Sequence, residues 1–339
     1  MEPVTHGLTS VALSRAGLQK ASPWATGILV VAGYAPDWDW LALLGGPPML
    51  FEYRRALGHS IAGGVALAFA VATLFWLLGR RRAAGPVRFL PALALSTAGV
   101  ASHILLDLPN RFGIKLAWPW RDRIFSWNIL ESVDPWPLGF LLLGLLLPAL
   151  FRMVSEEIGA KAKPTGSRNG ALFALVMIVL YFGGRAILHH RAEEMLKARI
   201  YQGAAPLSVE AYPSPFTPFV WRGIVETENT VEEFDVPLLP GAYFDVSRGV
   251  THFKPDDSPA LEAARKTVTV QRFLRFARFP IARVMRLREG YEVTLRDVRF
   301  SGDATNWAGF LASVEMNNSF EVLKEQIISL QTNQLTTRD

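Results

Sequence analysis

The sequence predicts a membrane-embedded α-helical bundle of about six helices, followed by a small β-rich (α+β) domain outside the membrane. Half of the 339 residues are hydrophobic and only 19% are charged, whereas an ordinary soluble domain has roughly 25% charged residues. The run Ile61–Gly79 carries no charge and approaches the roughly 20 residues that a helix needs to cross a bilayer. From Phe219 onward the pattern changes to the alternation that is typical of strands.

Six apolar stretches are the predicted membrane helices. The first two are weak, and basic residues and Pro23 separate them, so they predict a tight helical hairpin. The fifth is short and reaches across a bilayer only with its flanking residues. In chain order the stretches are Thr5–Ala16, Trp24–Ala35, Ile61–Gly79, Leu90–Leu108, Pro137–Phe151 and Ala171–Leu188.

The composition changes mark four predicted segments. These are the helical membrane domain over residues 1–190, a helical extension and linker over 191–218, a β-rich domain over 219–330 and a polar tail over 331–339. The strand-like stretches are Phe219–Val225, Val284–Arg288, Tyr291–Leu295 and Asp297–Phe300. We expect Phe310–Leu330 to form a last strand and a short helix.

The charge distribution predicts a membrane topology. The net charge is +5 and the pI is near 9.5, but the basic residues are spread along loops and do not interleave with aromatic residues on one face, so nucleic acid is not a predicted partner. Short basic loops mark the cytoplasmic side. They are formed by Arg15 and Lys20, by Arg80, Arg81, Arg82 and Arg88, and by Arg152, Lys161, Lys163 and Arg168. Both chain ends are therefore predicted on the outer face.

Ionisable residues lie at the ends of the apolar stretches. Lipid tolerates them poorly unless they pair, bind an ion or line a wet cavity. An up-down helix order brings them all to one membrane face, and His103 and Asp107 lie one helical turn apart. Imidazole nitrogen and carboxylate oxygen suit a divalent cation, with zinc first and manganese or iron as alternatives. The predicted ligands are His6, Asp37, Asp39, His59, His103 and Asp107.

Each of these residues also has a simpler explanation. Asp37 follows a proline and is also explained as a residue that ends one helix or caps the next. A lone His59 is also explained as a histidine that forms hydrogen bonds at the membrane interface. His103 and Asp107 are also explained as a buried pair of residues that form a hydrogen bond with each other. The arrival of all of them at one face favours a shared site. Cysteine is absent, which excludes thiolate ligands and disulfides.

The order of the motifs resembles a family of bacterial inner-membrane proteins, the YdjM-like, or LexA-regulated, membrane-bound metal-dependent hydrolases. The resemblance covers about residues 1–150, through His6, Pro36-Asp37-Trp38-Asp39, Arg55-Ala56-Leu57-Gly58-His59-Ser60, His103 to Asp107, Gly113 and Trp118-Pro119-Trp120. The chain departs from the family pattern at Arg54, where a histidine is usual, and at Ala56 and Gly58.

The resemblance implies a metal-dependent hydrolase in the bacterial inner membrane, and the topology predicted from the basic loops puts its site at the outer interface. Such a site favours a lipid or a lipid-linked ester or phosphate. Asp134 is then a candidate base or support for the metal ligands, and Arg54 and Arg55 either clamp a phosphate or only contact lipid head groups. The alternative function is a non-catalytic metal-binding sensor or scaffold whose β-rich domain binds an envelope partner. A transporter is disfavoured because the polar residues gather at helix ends and not near the midplane.

Overall fold

The computed structural model describes residues 1–39, 53, 55–81, 85–157, 166–214, 216–300 and 310–329. The chain divides into two compact units. The first comprises Met1–His189 and Pro213–Pro218, and the second comprises His190–Tyr212 and Phe219–Asp339. The predicted polar tail, 331–339, lies outside the described residues.

The N-terminal part of the chain is helical. In the described residues its helices are α1 (Pro3–Ala16), α2 (Ala25–Tyr34), α3 (Ile61–Gly79), α4 (Phe89–Asp107), α5 (Pro135–Glu157) and α6 (Gly166–Lys197), with short 3-10 helices at Leu18–Ala21 and at residues 35–39. Local chemistry sets several of the ends. Pro3 opens α1, where its missing N–H costs nothing, and the Ser60 hydroxyl caps α3 by accepting the Gly63 N–H at 3.0 Å.

Three helices in the described residues are long and apolar enough to cross a membrane. They are Ile61–Gly79, Phe89–Asp107 and Ser167–Lys197. Helices α1 and α2 have 14 and 10 residues, and the apolar part of α5, Pro135–Phe151, is also shorter than a full span. The predicted helical bundle is therefore present, whereas the prediction of six membrane-spanning helices is not confirmed.

A close approach of α2 and α4 organises the core of the first unit. Gly99 on α4 allows it, because a Cβ at this position would lie 2.7 Å from the Ala32 Cβ and 2.8 Å from the Leu29 carbonyl oxygen. Leu29, Ala32 and Leu95 are buried in the same apolar cluster. The contact fixes the end of α2 against the last turns of α4, where His103 lies.

The loop between α4 and α5 is folded and contacts the segment before α3. Isolated bridges join Asn110 to Leu130 and Ile114 to Phe125. The Lys115 N–H donates to the Arg55 carbonyl at 2.9 Å, and the Ile61 N–H donates to the Leu116 carbonyl at 3.0 Å. These bonds hold the residues around Arg55 next to the loop.

The described part of the second unit forms two four-stranded sheets. The first has the order β1-β2-β3-β4 and the second β5-β6-β7-β8. Each strand of the second sheet pairs antiparallel with the next. The strands are β1 (Ser208–Pro213), β2 (Val220–Glu226), β3 (Thr230–Pro237), β4 (Val250–Phe253), β5 (Pro280–Leu287), β6 (Gly290–Asp297), β7 (Phe310–Asn317) and β8 (Val322–Ser329). Two short helices, α7 (Pro259–Arg265) and α8 (Val268–Phe276), precede the second sheet.

Side chains of both sheets share one apolar core. Tyr212 from β1, Ile224 from β2 and Val231 from β3 form a buried cluster with Phe279, which immediately precedes β5, and with Ile281 in β5. Helix α8 packs against β7 and β8 and buries Val270 and Phe273. The β-rich (α+β) character predicted for this part of the chain is therefore present.

Three local predictions differ from the structure. Ser208–Pro213, predicted as part of a linker, forms β1. The strand predicted at Asp297–Phe300 is wrong beyond Asp297, because the Asp297 carboxylate accepts the Arg299 N–H at 3.0 Å and Val298–Phe300 turns into a 3-10 helix. The described part of Phe310–Leu330 contains no helix, because its two halves pair as β7 and β8.

Candidate metal centre

Ionisable side chains from four segments of the first unit meet at one place. His6 comes from α1, and Asp37 comes from the 3-10 helix at residues 35–39 that follows α2. His59 immediately precedes the Ser60 cap of α3, and His103 and Asp107 lie in the last turns of α4. They form two overlapping sets whose ligand atoms lie within 4.8 Å of one another, namely His6, Asp37 and His103, and His59, His103 and Asp107.

The centre of the cluster is a pair of imidazoles. The Nε2 atoms of His59 and His103 are 3.1 Å apart. The Asp107 Oδ2 atom lies 3.2 Å from the His59 Nε2 and 3.8 Å from the His103 Nε2. The Asp37 Oδ1 atom lies 3.7 Å from the His103 Nε2 and 4.0 Å from the His59 Nε2. Two nitrogens and two carboxylates are thus directed at the same small space.

The backbone of α2 orients His103. The His103 Nδ1 atom is 2.7 Å from the carbonyl oxygen of Gly33. Because a carbonyl only accepts, Nδ1 carries the proton, and Nε2 of the neutral ring presents a lone pair toward His59. Metal-binding histidines commonly have this arrangement, in which the outer nitrogen donates to a fixed acceptor.

Asp39 orients His59 in the same way. The Asp39 Oδ2 atom is 3.0 Å from the His59 Nδ1, and its Oδ1 accepts the Gly58 N–H at 2.7 Å. Both oxygens of Asp39 therefore bind the segment before α3, on the outer side of the His59 ring. Burial alone lowers the pKa of His59, but the carboxylates of Asp107 and Asp39 raise it by more, so the pKa lies above its ordinary value.

This geometry favours a positive charge between the rings of His59 and His103. With both Nδ1 atoms donating outward, the neutral rings of His59 and His103 would direct lone pairs at each other across 3.1 Å. A proton or a metal ion removes that repulsion, and the adjacent carboxylates of Asp107 and Asp37 add to the attraction for a cation. The donor set fits a divalent metal.

His6 adds a third imidazole to the cluster. Its ring stacks on that of His103, with the centroids 3.8 Å apart. Within the described residues neither of its nitrogens forms a hydrogen bond, and its Nε2 lies 3.4 Å from the Asp107 Oδ1. A buried polar atom without a partner is costly, and ligation of a cation would remove that cost.

Asp37 is the most exposed residue of the cluster. The side chains of His6, His59, His103 and Asp107 are between 0% and 2% exposed, whereas that of Asp37 is 26% exposed. A ligand from solution would therefore reach the cluster beside Asp37.

Asp107 also faces two positive groups. The Arg55 Nη2 atom lies 3.6 Å from its Oδ2, and the Met1 α-amino group contacts its Oδ1. Arg55 adopts a left-handed backbone conformation with φ of 57°, and its guanidinium lies over the Phe112 ring, 5.4 Å from the centroid.

The remaining sequence-predicted residues lie elsewhere or outside the described residues. Asp134 accepts hydrogen bonds from the Tyr181 hydroxyl at 3.0 and 3.2 Å and from the Trp136 N–H at 3.1 Å. Burial raises the pKa of Asp134. Arg54 lies outside the described residues.

Three contacts of the cluster were not predicted from the sequence. The Gly33 carbonyl that orients His103 is a backbone group, and the residue type at position 33 carries no sign of that role. The Met1 contact with Asp107 likewise has no signature in the sequence pattern. The Pro36-Asp37-Trp38-Asp39 motif did contain a signal for Asp39, but not for its position behind His59.

Comparison with known families gives two matches. The model of the family described as the YdjM inner membrane protein matches residues 1–192. The model described as the YfhP C-terminal alpha/beta plait domain matches residues 259–337, a range that includes α7, α8 and the second sheet. No curated protein and no solved structure matches the chain.

Proposed function

The chain belongs to the YdjM family of inner membrane proteins, and on that premise we propose that it is a membrane-bound, metal-dependent hydrolase. The observation that carries the proposal is the pair of inward-facing Nε2 atoms of His59 and His103, 3.1 Å apart and flanked by carboxylates. Its substrate is a lipid or a lipid-linked ester or phosphate. The two nitrogens lie at the ends of helices long enough to span a membrane, which supports a substrate at the membrane boundary.

We assign five residues to the metal, namely His6, Asp37, His59, His103 and Asp107. Zinc suits this nitrogen and oxygen set, and manganese or iron are alternatives. When bound, such an ion polarises a carbonyl or phosphoryl oxygen and acidifies water. The contacts that support the assignment are the distances of 3.2 to 4.0 Å between the imidazole Nε2 atoms of His59 and His103 and the carboxylates.

The surrounding residues orient the metal-binding side chains and limit their access to water. Asp39 and the Gly33 carbonyl hold the outer nitrogens of His59 and His103, so we assign Asp39 to positioning and not to the metal. Asp37, the most exposed carboxylate of the cluster, is where water and substrate enter. Asp134 accepts a hydrogen bond from the Tyr181 hydroxyl. We therefore assign Asp134 a structural role in the loop before α5 and no role in proton transfer.

Metal analysis of the purified full-length protein tests the proposal. Wild-type protein reconstituted with zinc and dialysed should retain zinc, and H103A and D107A should lose it while still inserting into the membrane. H190A is the matched control, because His190 is exposed on α6, and it should retain zinc. Wild-type protein that retains no metal, or a D107A variant that retains all of it, would refute the assignment.

A second candidate function is a metal-binding sensor or scaffold that does not turn over substrate. It is favoured by the second unit, which has its own core and matches a separate family model, a feature that hydrolysis does not require. An activity screen with phosphoester and carboxylic ester lipids distinguishes the two. Turnover by wild type that D107A lacks supports the hydrolase, and metal retention without turnover of either ester class supports the sensor.

A further inference from the structure

Arg55 is a charged group at the candidate metal centre with unused hydrogen-bonding capacity. Its Nη2 lies 3.6 Å from the Asp107 Oδ2, which is longer than a hydrogen bond. Its Nη1 is buried and forms no hydrogen bond with any residue that the structure describes. A buried donor without an acceptor is costly, so binding of an acceptor from outside the chain would remove that cost.

Arg55 differs from an arginine that only contacts lipid head groups. Its side chain is 15% exposed and packs over the Phe112 ring, whereas Arg121 in the neighbouring loop is exposed. The backbone is also held, because the Lys115 N–H donates to the Arg55 carbonyl at 2.9 Å. The guanidinium is therefore positioned beside the cluster instead of extending freely into the interface.

The accessible part of the site is where Arg55 lies. Among the charged side chains around Asp107, those of Arg55 and Asp37 are 15% and 26% exposed, while His6, His59 and His103 are at most 2% exposed. An incoming ligand thus reaches the guanidinium and the Asp37 carboxylate first. A cation held by Asp107 would weaken the attraction between that carboxylate and Arg55, leaving the guanidinium to pair with another anion.

We propose that Arg55 binds phosphoryl oxygens of the substrate, so that the substrate class of the hydrolase is phosphate esters and not carboxylic esters. This inference rests on the proposed function. A planar guanidinium offers two parallel N–H donors, a geometry that matches the oxygens of a phosphate. The phosphoryl group belongs either to a membrane lipid or to a soluble phosphate ester.

The test measures ligand binding to the zinc-loaded, full-length protein, independently of turnover. Inorganic phosphate and methyl acetate, a neutral carboxylic ester, are titrated calorimetrically into wild type, R55Q, R55K and the control R121Q, and bound zinc is quantified in each. We expect R55Q to bind phosphate about tenfold or more weakly, since a charged hydrogen bond is lost, with ester binding and zinc content unchanged. R55K should fall between R55Q and wild type, and R121Q should match wild type.

Two further arms identify the source of the phosphate. Glycerol 3-phosphate in solution is compared with nanodiscs that contain phosphatidic acid, and with nanodiscs of phosphatidylcholine alone as the reference. Arg55-dependent binding of phosphatidic acid only assigns a lipid substrate, and equal dependence for both assigns the phosphate group itself. Either result supports the proposal.

The failures are distinguishable. Phosphate affinity that is unchanged in a zinc-loaded R55Q or R55K variant overturns the role of Arg55 and leaves the metal assignment intact. Loss of zinc in both variants assigns Arg55 to the metal centre and also overturns the proposal. Wild-type protein without zinc overturns the proposed function itself.

Discussion

His59 and His103 meet through their Nε2 atoms at 3.1 Å, while the Nδ1 atom of each ring binds an acceptor on the opposite side. The two rings come from segments separated by 44 positions in the chain, so the contact depends on the packing of α2 against α4 and on the turn before α3. Two lone pairs directed at each other are unfavourable without a cation. The fold therefore holds these rings in an arrangement that binding of a proton or metal stabilises.

The first prediction concerns Asp39. Replacing it with alanine removes the acceptor of the His59 Nδ1 and of the Gly58 N–H, so the ring loses its orientation without losing a proposed ligand. Loss of such an outer partner typically lowers metal affinity about 10–100-fold. Competition of D39A and wild type with a zinc-chelating dye measures this change.

D122A is the control for Asp39, because Asp122 is an exposed carboxylate that pairs with Lys115. It should leave zinc affinity unchanged. Equal affinity of D39A and wild type would show that the Asp39 contact does not orient a metal-binding histidine.

The second prediction concerns the close approach at Gly99. G99A places a methyl group 2.7 Å from the Ala32 Cβ, so α2 and α4 must separate, and overpacking of this kind costs about 1–3 kcal/mol. The Gly33 carbonyl would then move away from the His103 Nδ1. We expect a lower thermal unfolding midpoint and weaker zinc binding in the same variant.

Gly184 provides the matched control for G99A. It lies on α6, and a Cβ there would meet nothing within 4 Å, so G184A should be neutral or stabilising by up to about 1 kcal/mol. Zinc affinity should not change in G184A. If G99A retains both the midpoint and the zinc affinity of wild type, the helix contact does not position His103.

The sequence predicted the helical segments well because each is an apolar run bounded by polar or basic residues. It also predicted that His6, Asp37, His59, His103 and Asp107 would come together, since residues at alternate ends of up-down helices share a face. It did not separate Asp39 from Asp37. Both follow the same proline, and only the 3-10 helix at residues 35–39 places Asp39 against the His59 Nδ1 and Asp37 near the His103 Nε2.

Secondary-structure predictions were less accurate where hydrogen bonds outside the local pattern determine the structure. The stretch Phe310–Leu330 has enough helix-compatible residues to suggest a short helix, but strand pairing of β7 with β8 prevails in its described part. At Asp297–Phe300 the alternating pattern suggested a strand, and a local bond from the Arg299 N–H to Asp297 ended it. The bond at Asp297 is local and competes with the strand ladder, whereas the pairing of β7 with β8 is a contact between strands that the alternating pattern alone does not specify.

The third prediction concerns membrane topology. The three basic loops predict that the C-terminus lies outside the cytoplasm. A C-terminal alkaline phosphatase fusion should be active, and a fusion placed in the loop after Arg80 should be inactive. Green fluorescent protein fusions at the same positions should give the opposite pattern. An active phosphatase in the Arg80 loop together with an inactive C-terminal fusion would show that the orientation is the reverse of the predicted one.

The last prediction concerns the buried ion pair of the second unit. The Arg299 Nη2 lies 2.8 Å from the Asp297 Oδ2, and both side chains are 1% exposed. Asp297 also accepts the Arg278 N–H at 3.0 Å and the Arg299 N–H at 3.0 Å, so D297A removes the counter-ion of a buried guanidinium and the acceptor of two backbone donors, which costs about 3–5 kcal/mol. Hydrogen exchange of the full-length protein should show lost protection across β5 and β6.

D257A is the control. It breaks the exposed pair with Arg265 at 3.1 Å and should change hydrogen exchange little, because water screens that pair. Equal protection in D297A and D257A would mean that the buried pair does not stabilise this unit.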